Sequence, residues 1–450
     1  MFATATAEIL SQGDAGYDDA RRVWNGTIDR RPALIVRARD VEDVKWAVRH
    51  AREHDLEIAI RGGGHSVAGH SVTEGGVMID LSPMKRVDVD PVARRAHVEP
   101  GVLLGELDRA TQEHGLAVPA GTVSHTGVAG LTLGGGIGWL MRKHGLTIDN
   151  LLSVELVTAS GELVRASADE EPELFWGIRG AGANFGVVTA FEFRLHPVGP
   201  LVTGGPLLFP LEEAARVLRG VREAEAELHD DLGLACVLMT VPPAPTFPSE
   251  LHGRRVLAVV PAWAGDPDEA EQAVAPLRAL GDPVLDGYGP IPYVALQSMI
   301  DESAPHGIHQ RNFADHVELS DGAIDALVGR FEHVTHPMTH VVLTLLGGAV
   351  ARVAPDATAF PHRDGSWVAW VIGMWRPDED GTSHVEWIGS MRDALRPHAS
   401  EGVYMNALGA DDGRVQRAYG GNWSRLVDLK RRWDPNNAFR LNANIDPRSP

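Results

Sequence analysis

The period of apolar positions changes repeatedly along the chain, and each change marks an element. Residues 33–38 (ALIVRA) read as a strand, and Val41, Val44, Val48 and Ala51 then recur at near-helical spacing. Asp40 stands just before them, where a carboxylate can accept from the free amides of a first helical turn. A second strand at 57–61 completes a β-α-β unit, so the residues after Arg61 lie at the carboxyl end of a strand, where open sheets bind ligands. Short alternating runs at 77–82, 86–90 and 95–100 predict strands, and 103–115 predict a helix ending at Gly115. Residues 150–167 predict a hairpin turning at Ser160 and Gly161, and 187–195 alternate like a further strand.

The pattern changes after His196, because 196–206 (HPVGPLVTGGP) are rich in proline and glycine and mark a domain boundary. Beyond it, apolar strands at 232–239, 255–263, 340–350 and 367–375 alternate with amphipathic stretches at 211–228, 268–280 and 321–334. This predicts a largely antiparallel sheet covered by helices, and an α+β fold class for the chain. Near the end, 422–433 predict a helix with Asn422 as its cap candidate and Pro435 just past its end.

Glycine is the other organising signal. Residues 61–71 (RGGGHSVAGHS) follow the second strand, and glycines there let backbone amides converge on an anion such as phosphate. His65 is then held beside whatever carries that phosphate, and Ser66 adds a hydroxyl. Two more clusters, 121–138 (GTVSHTGVAGLTLGGGIG) and 177–186 (GIRGAGANFG), are more than one phosphate needs and predict a dinucleotide with a reactive ring. A nicotinamide-binding Rossmann site is disfavoured. Gly180, Gly182 and Gly186 are spaced too widely for G-x-G-x-x-G and precede a strand rather than open a helix.

Composition narrows the partners. A net charge of −20 repels phosphate backbones and anionic membranes, which argues against nucleic-acid and membrane partners. No apolar run approaches the roughly 20 residues that span a bilayer. Residues 1–19 have neither a basic start nor a sustained apolar core, so a cytoplasmic location is expected. Cys236, the single cysteine, lies in an apolar run and reads as a small buried hydrophobe. His333, His336 and His340 form an H-x-x-H-x-x-x-H pattern, but Pro337 breaks any helix that would align them, so no metal is expected.

Four segments in a fixed order, 61–69, 119–150, 180–189 and 419–445, resemble the flavin-dependent oxidases of the vanillyl-alcohol oxidase/p-cresol methylhydroxylase superfamily. Within it the chain resembles the berberine-bridge-enzyme-like branch. The resemblance implies FAD as cofactor and three parts: a two-lobed FAD-binding domain of the p-cresol methylhydroxylase (PCMH) type at 1–200, a substrate-binding domain at 201–403, and a segment at 404–450 that returns to the FAD domain. It implies an oxidoreductase that moves a hydride from a small or medium alcohol, sugar or amine to flavin N5 and passes electrons to O2, giving hydrogen peroxide. A dehydrogenase with another acceptor, or a non-catalytic flavin- or ligand-binding protein, is the alternative. Oligomeric state and substrate identity are not legible.

Site residues follow from the same resemblance. His65 matches the histidine that bonds to the flavin 8α carbon, the alternative being a donor to a phosphate or carbonyl; His70 matches no motif. Where many relatives attach the flavin again through cysteine, this chain has Val123, so a single bond through His65 and no cysteinyl link is implied. Thr126 matches the residue beside the oxygen path, and its small side chain favours oxygen access. His125 reads either as a donor near the ring or as a structural histidine. Arg61, Gly62, Gly63, Gly64, Ser66, Gly69, Ser124, Gly127, Gly130, Gly134, Gly135, Gly136, Gly138, Asn184, Gly186 and Val188 are the expected cofactor-binding positions of the three clusters. Asn442 and Asn444 match the tail near the pyrimidine edge of the flavin. Tyr404 and Asn406 match a Tyr-x-Asn motif facing the ring; Tyr404 is the candidate base, provided that a cation or strong donor lowers its pKa. Arg311, His309 and His316 are middle-domain candidates for that cation or donor.

Overall fold

Strands Leu34–Arg37 and Ile58–Arg61 both pair in parallel with Val77–Asp80, and helix Val41–Glu53 links the first two. The Asp40 side chain accepts from the Asp43 amide at 3.0 Å, the cap its position predicts. Strand Glu8–Leu10 adds an antiparallel edge. The computed structural model describes residues 7–364, 367–409 and 413–449, so the first six residues of the N-terminal stretch read above lie outside it.

A five-stranded sheet follows, in the order Val87–Asp90, Arg95–Val98, Gly186–Arg194, Leu151–Thr158, Leu163–Ser167, all antiparallel. Its last two strands are the expected hairpin, which turns through Gly161 at φ 82°. The glycine-rich stretch before Gly186 ends helix Pro172–Ala181, which leaves helical geometry at Arg179 and Gly180.

The third unit is a ten-stranded sheet. Its path runs through Leu207–Pro210, Arg255–Trp263, Leu232–Thr240, His340–Leu345, Trp367–Trp375 and His309–Val317, paired antiparallel throughout. The strand expected over 340–350 stops at Leu345, because Gly347 and Gly348 take positive φ and turn the chain. Strand His309–Val317 and helix Thr382–Leu395 did not stand out in the sequence. Alternation along each strand divides the sheet: Phe209, Leu257, Leu238 and Val341 pack beneath helices Ala214–Ala224, Asp321–Phe331 and Thr382–Leu395. The opposite face meets the glycine loops.

Buried polar contacts join the units. Arg363 grips Asp149 with two bonds of 2.9 and 2.8 Å, and Arg142 donates to the carbonyls of Leu232 and Leu346 at 3.0 and 2.8 Å. In the tail helix Trp423–Trp433, Asn422 does not cap through its side chain. Its amide donates instead to the carbonyls of Pro355 and Thr358, tying the tail to that loop. Among the described residues no helix is long and apolar enough to cross a membrane.

Asp108 gives this framework a pH dependence. It lies buried on helix Leu104–Gln112 against helix Tyr293–Gln297, with one oxygen accepting from Gln297 at 3.3 Å and the other without a partner. Burial raises its pKa to about 7. The folded chain therefore holds a proton that the unfolded chain releases above its ordinary pKa, and this stabilisation is lost as pH rises through 7. Asp108→Asn should be more stable than the parent at pH 8, by an amount on the order of a few kcal/mol, and indistinguishable from it well below pH 4. Urea denaturation at the two pH values checks this, and a uniform effect at both would contradict it.

Candidate active site

A cavity of about 1490 Å³ lies between the glycine loops, the tail and the free face of the ten-stranded sheet. The loop after Arg61 enters it at the carboxyl end of its strand, and Gly62, Gly63, Gly64, His65 and Ser66 line the wall. A Cβ on Gly63 would stand 2.3 Å from the Gly127 nitrogen, so the first two glycine clusters pass each other backbone to backbone.

His65 is fixed from three sides. Its ring stacks on Trp24 with centroids 4.6 Å apart, its Nε2 lies 2.8 Å from His125 Nδ1, and its Nδ1 lies 3.4 Å from Thr126 Oγ1. Burial lowers its pKa to about 2, with His125 and His306 adding to the effect, so the ring is neutral at working pH. With the proton on Nε2 and shared with His125, Nδ1 carries a lone pair. His125 is therefore a partner of His65. His306, which no sequence motif marked, completes a group of three histidines whose ligand atoms lie within 4.8 Å of one another. His333, His336 and His340 make no such group among the described residues: His336 meets Glu379 at 3.4 Å, and His340 Nδ1 meets the Met338 carbonyl at 2.9 Å.

The second cluster divides. Val123, Thr126, Gly127, Gly130 and Gly138 line the cavity, as does Val188 from the third. Ser124, expected among the cofactor-binding positions, bonds Asp301 through both its amide and its hydroxyl, at 2.7 and 2.5 Å. The amides of Gly134, Gly135 and Gly136 go to the Leu131 and Thr132 carbonyls and to the Tyr404 hydroxyl. What Gly134 does is make room: a Cβ there would stand 2.0 Å from Asn406 Oδ1.

Other expected cofactor residues serve the scaffold. Asn184 is buried and bonds the tail, donating to the Ala443 carbonyl at 3.1 Å and accepting from the Ile445 amide at 3.0 Å. Gly186 is a ladder residue opposite Thr158. Arg61 turns back to the Ala20 carbonyl, and Gly69 closes a turn on the Ser66 carbonyl and faces Ile28.

Tyr404 lines the cavity, its hydroxyl accepting from the Gly136 amide and from Asn406 Nδ2, both at 3.2 Å. Burial raises its pKa, and the Asn406, Gly136 and Ile137 donors oppose this without reversing it. Arg311 is exposed, and His316 is buried beside His362, its pKa lowered to about 3 by burial and that neighbour. Neither of them, nor His309, lines the cavity; Asn312, one position from Arg311, does.

The residues present fit a flavin dinucleotide. Asn442 and Asn444 each bury a side-chain oxygen that has no partner, and Asn442 lines the cavity. At Gly130 a Cβ would project into open space along the same wall.

Comparison with known proteins agrees. Residues 32–167 match the FAD binding domain family and residues 403–446 the berberine and berberine-like family. An FAD-linked oxidoreductase of Dictyostelium discoideum is 33% identical, with 98% of this chain and 94% of the relative covered. (R)-6-hydroxynicotine oxidase of Paenarthrobacter nicotinovorans is 31% identical, with 98% and 96% covered. The solved structure of 6-hydroxy-D-nicotine oxidase from Arthrobacter nicotinovorans superposes with a TM-score of 0.88 at 30% identity, covering 99% of this chain and 98% of that one. Berberine bridge enzyme from Eschscholzia californica shares the fold, with a TM-score of 0.87 at 24% identity over 99% and 97% of the two chains. The chain belongs to the berberine-bridge-like family of FAD-linked oxidoreductases, and its architecture is the PCMH type.

Proposed function

We propose that the protein is an oxidase that takes a hydride from a small or medium alcohol, sugar or amine and delivers two electrons to O2, releasing hydrogen peroxide, with its FAD tethered by one covalent bond to His65. The observation that carries this reading is the pairing, on one cavity wall, of a neutral His65 with the small side chain of Thr126. FAD supplies two-electron redox chemistry when bound. His65 offers a nucleophilic Nδ1, and Val123, also on the wall, has no sulfur for a second link. Thr126 leaves space for a diatomic gas. Tyr404, protonated at neutral pH, positions a substrate oxygen or nitrogen by donating to it, with Asn406 bonded to its hydroxyl. The substrate's own O–H or N–H proton leaves to solvent, and O2 takes up two electrons and two protons as hydrogen peroxide. Asn442 and Asn444 offer their free oxygens to the pyrimidine edge of the flavin.

Oxygen uptake and peroxide release are the test, measured with a panel of alcohols, sugars and amines. Peroxide equal to the oxygen consumed is expected. Oxidation that proceeds only with an artificial dye would point to a dehydrogenase. Thr126→Leu should slow oxygen use by roughly tenfold, about 1.4 kcal/mol of barrier, while turnover with the dye persists.

A further inference from the structure

The cavity has a second wall, and its chemistry narrows the substrate. Strand register places Leu208, Ala258, Val237, Val342 and Trp370 in one row across five strands, each the cross-strand partner of the next. All five line the cavity, and none carries a charge. A parallel row adds two polar positions, His340 and Asn312, which both pair with Ile372, and Thr240 and Thr344 of the same sheet line the cavity as well. His340 Nδ1 donates to the Met338 carbonyl, which leaves Nε2 as an acceptor, and its pKa is lowered by burial. Asn312 is 8% exposed, and its Oδ1 has no partner. The charged lining residues, Glu302 and Arg376, are exposed.

From this face we infer that the substrate is an uncharged, mainly apolar molecule with a single hydroxyl or amine N–H donor, recognised by the apolar row and by the acceptors Asn312 Oδ1 and His340 Nε2. The inference rests on the oxidase reading and separates its substrate classes. A sugar brings many hydroxyls, and each one stripped of water without a partner lowers affinity by roughly tenfold. An amino acid would place a carboxylate and an ammonium against a row that carries no counter-ion for either. A fused aromatic ring matches the row.

Equilibrium dialysis of the holoprotein in the absence of oxygen, against 2-naphthylmethanol and against lactose, tests the assignment. Saturable binding of the naphthyl alcohol and none of lactose is expected. Val237→Asp should weaken the naphthyl alcohol at least roughly tenfold. Val237→Thr, of nearly the same shape, should weaken it by a smaller factor and covers the case in which the aspartate does not fold. Lactose binding without naphthyl binding, or naphthyl affinity unchanged in both variants, overturns the inference. Dialysis requires no turnover, so its outcome is independent of the peroxide assay, on which the oxidase reading stands or falls.

Discussion

His65→Ala should move the yellow colour of acid-precipitated protein from the pellet to the supernatant. A ring that forms a carbon–nitrogen bond needs a lone pair at the attacking nitrogen and a place for its other proton. His65 has both in the tautomer that places its proton on Nε2, which then donates to His125 Nδ1 at 2.8 Å and leaves the Nδ1 beside Thr126 with its lone pair. Its lowered pKa adds a pH signature. An ordinary histidine, with a pKa of about 6.5, would lose its nucleophilic form below that value. His65, whose pKa is held near 2 by burial, stays neutral. Incorporation of FAD into flavin-free protein should therefore be as complete at pH 5.5 as at pH 8, judged by the protein's intact mass. Colour that stays in the His65→Ala pellet, or attachment that fades around pH 6.5, would contradict the tether and its electrostatic basis respectively. His125→Ala is a useful companion, because it removes the partner on Nε2 while leaving Nδ1 in place.

The parts of this site that were legible in sequence are those set by local geometry. Asp40 caps its helix and Gly161 turns its hairpin through contacts a few residues apart, and the strand at Ile58–Arg61 delivers His65 to the cavity because His65 follows it directly in the chain. The inner wall was not legible in the same way. Asn312 and Trp370 reach the cavity while Arg311 does not, because strand register decides which side of the sheet a residue faces, and a shift of one position reverses it. His306 meets His65 and His125 only through the loop that precedes strand His309–Val317, which has no local signature. The glycine clusters were legible in part, because composition shows that backbones come close but not what they approach: Gly134 makes room for Asn406.

Lys430→Met should destabilise the protein by about 3–5 kcal/mol, the usual consequence of leaving a buried charge without its partner. Lys430 and Asp434 are fully buried and 2.8 Å apart, and the ammonium also donates to the carbonyls of Asn184 and Phe439 at 2.7 and 2.9 Å. One cation thus joins the tail helix, the third glycine cluster and the segment leading to Asn442 and Asn444. Asp434 accepts in turn from the amides of Ala438 and Phe439, at 2.8 and 2.9 Å. An apolar replacement of both residues should therefore recover only part of the loss, because the two amides would remain buried without an acceptor. Urea midpoints for the single and double variants measure this coupling. The flavin should respond as well, since loosening this anchor frees the tail that carries both unpartnered asparagine oxygens. In Lys430→Met, non-covalent contacts at that edge should weaken while the proposed bond through His65 persists, so the colour stays with the acid pellet but its absorption band shifts. A variant with parental stability and an unshifted band would mean that the tail is held without Lys430.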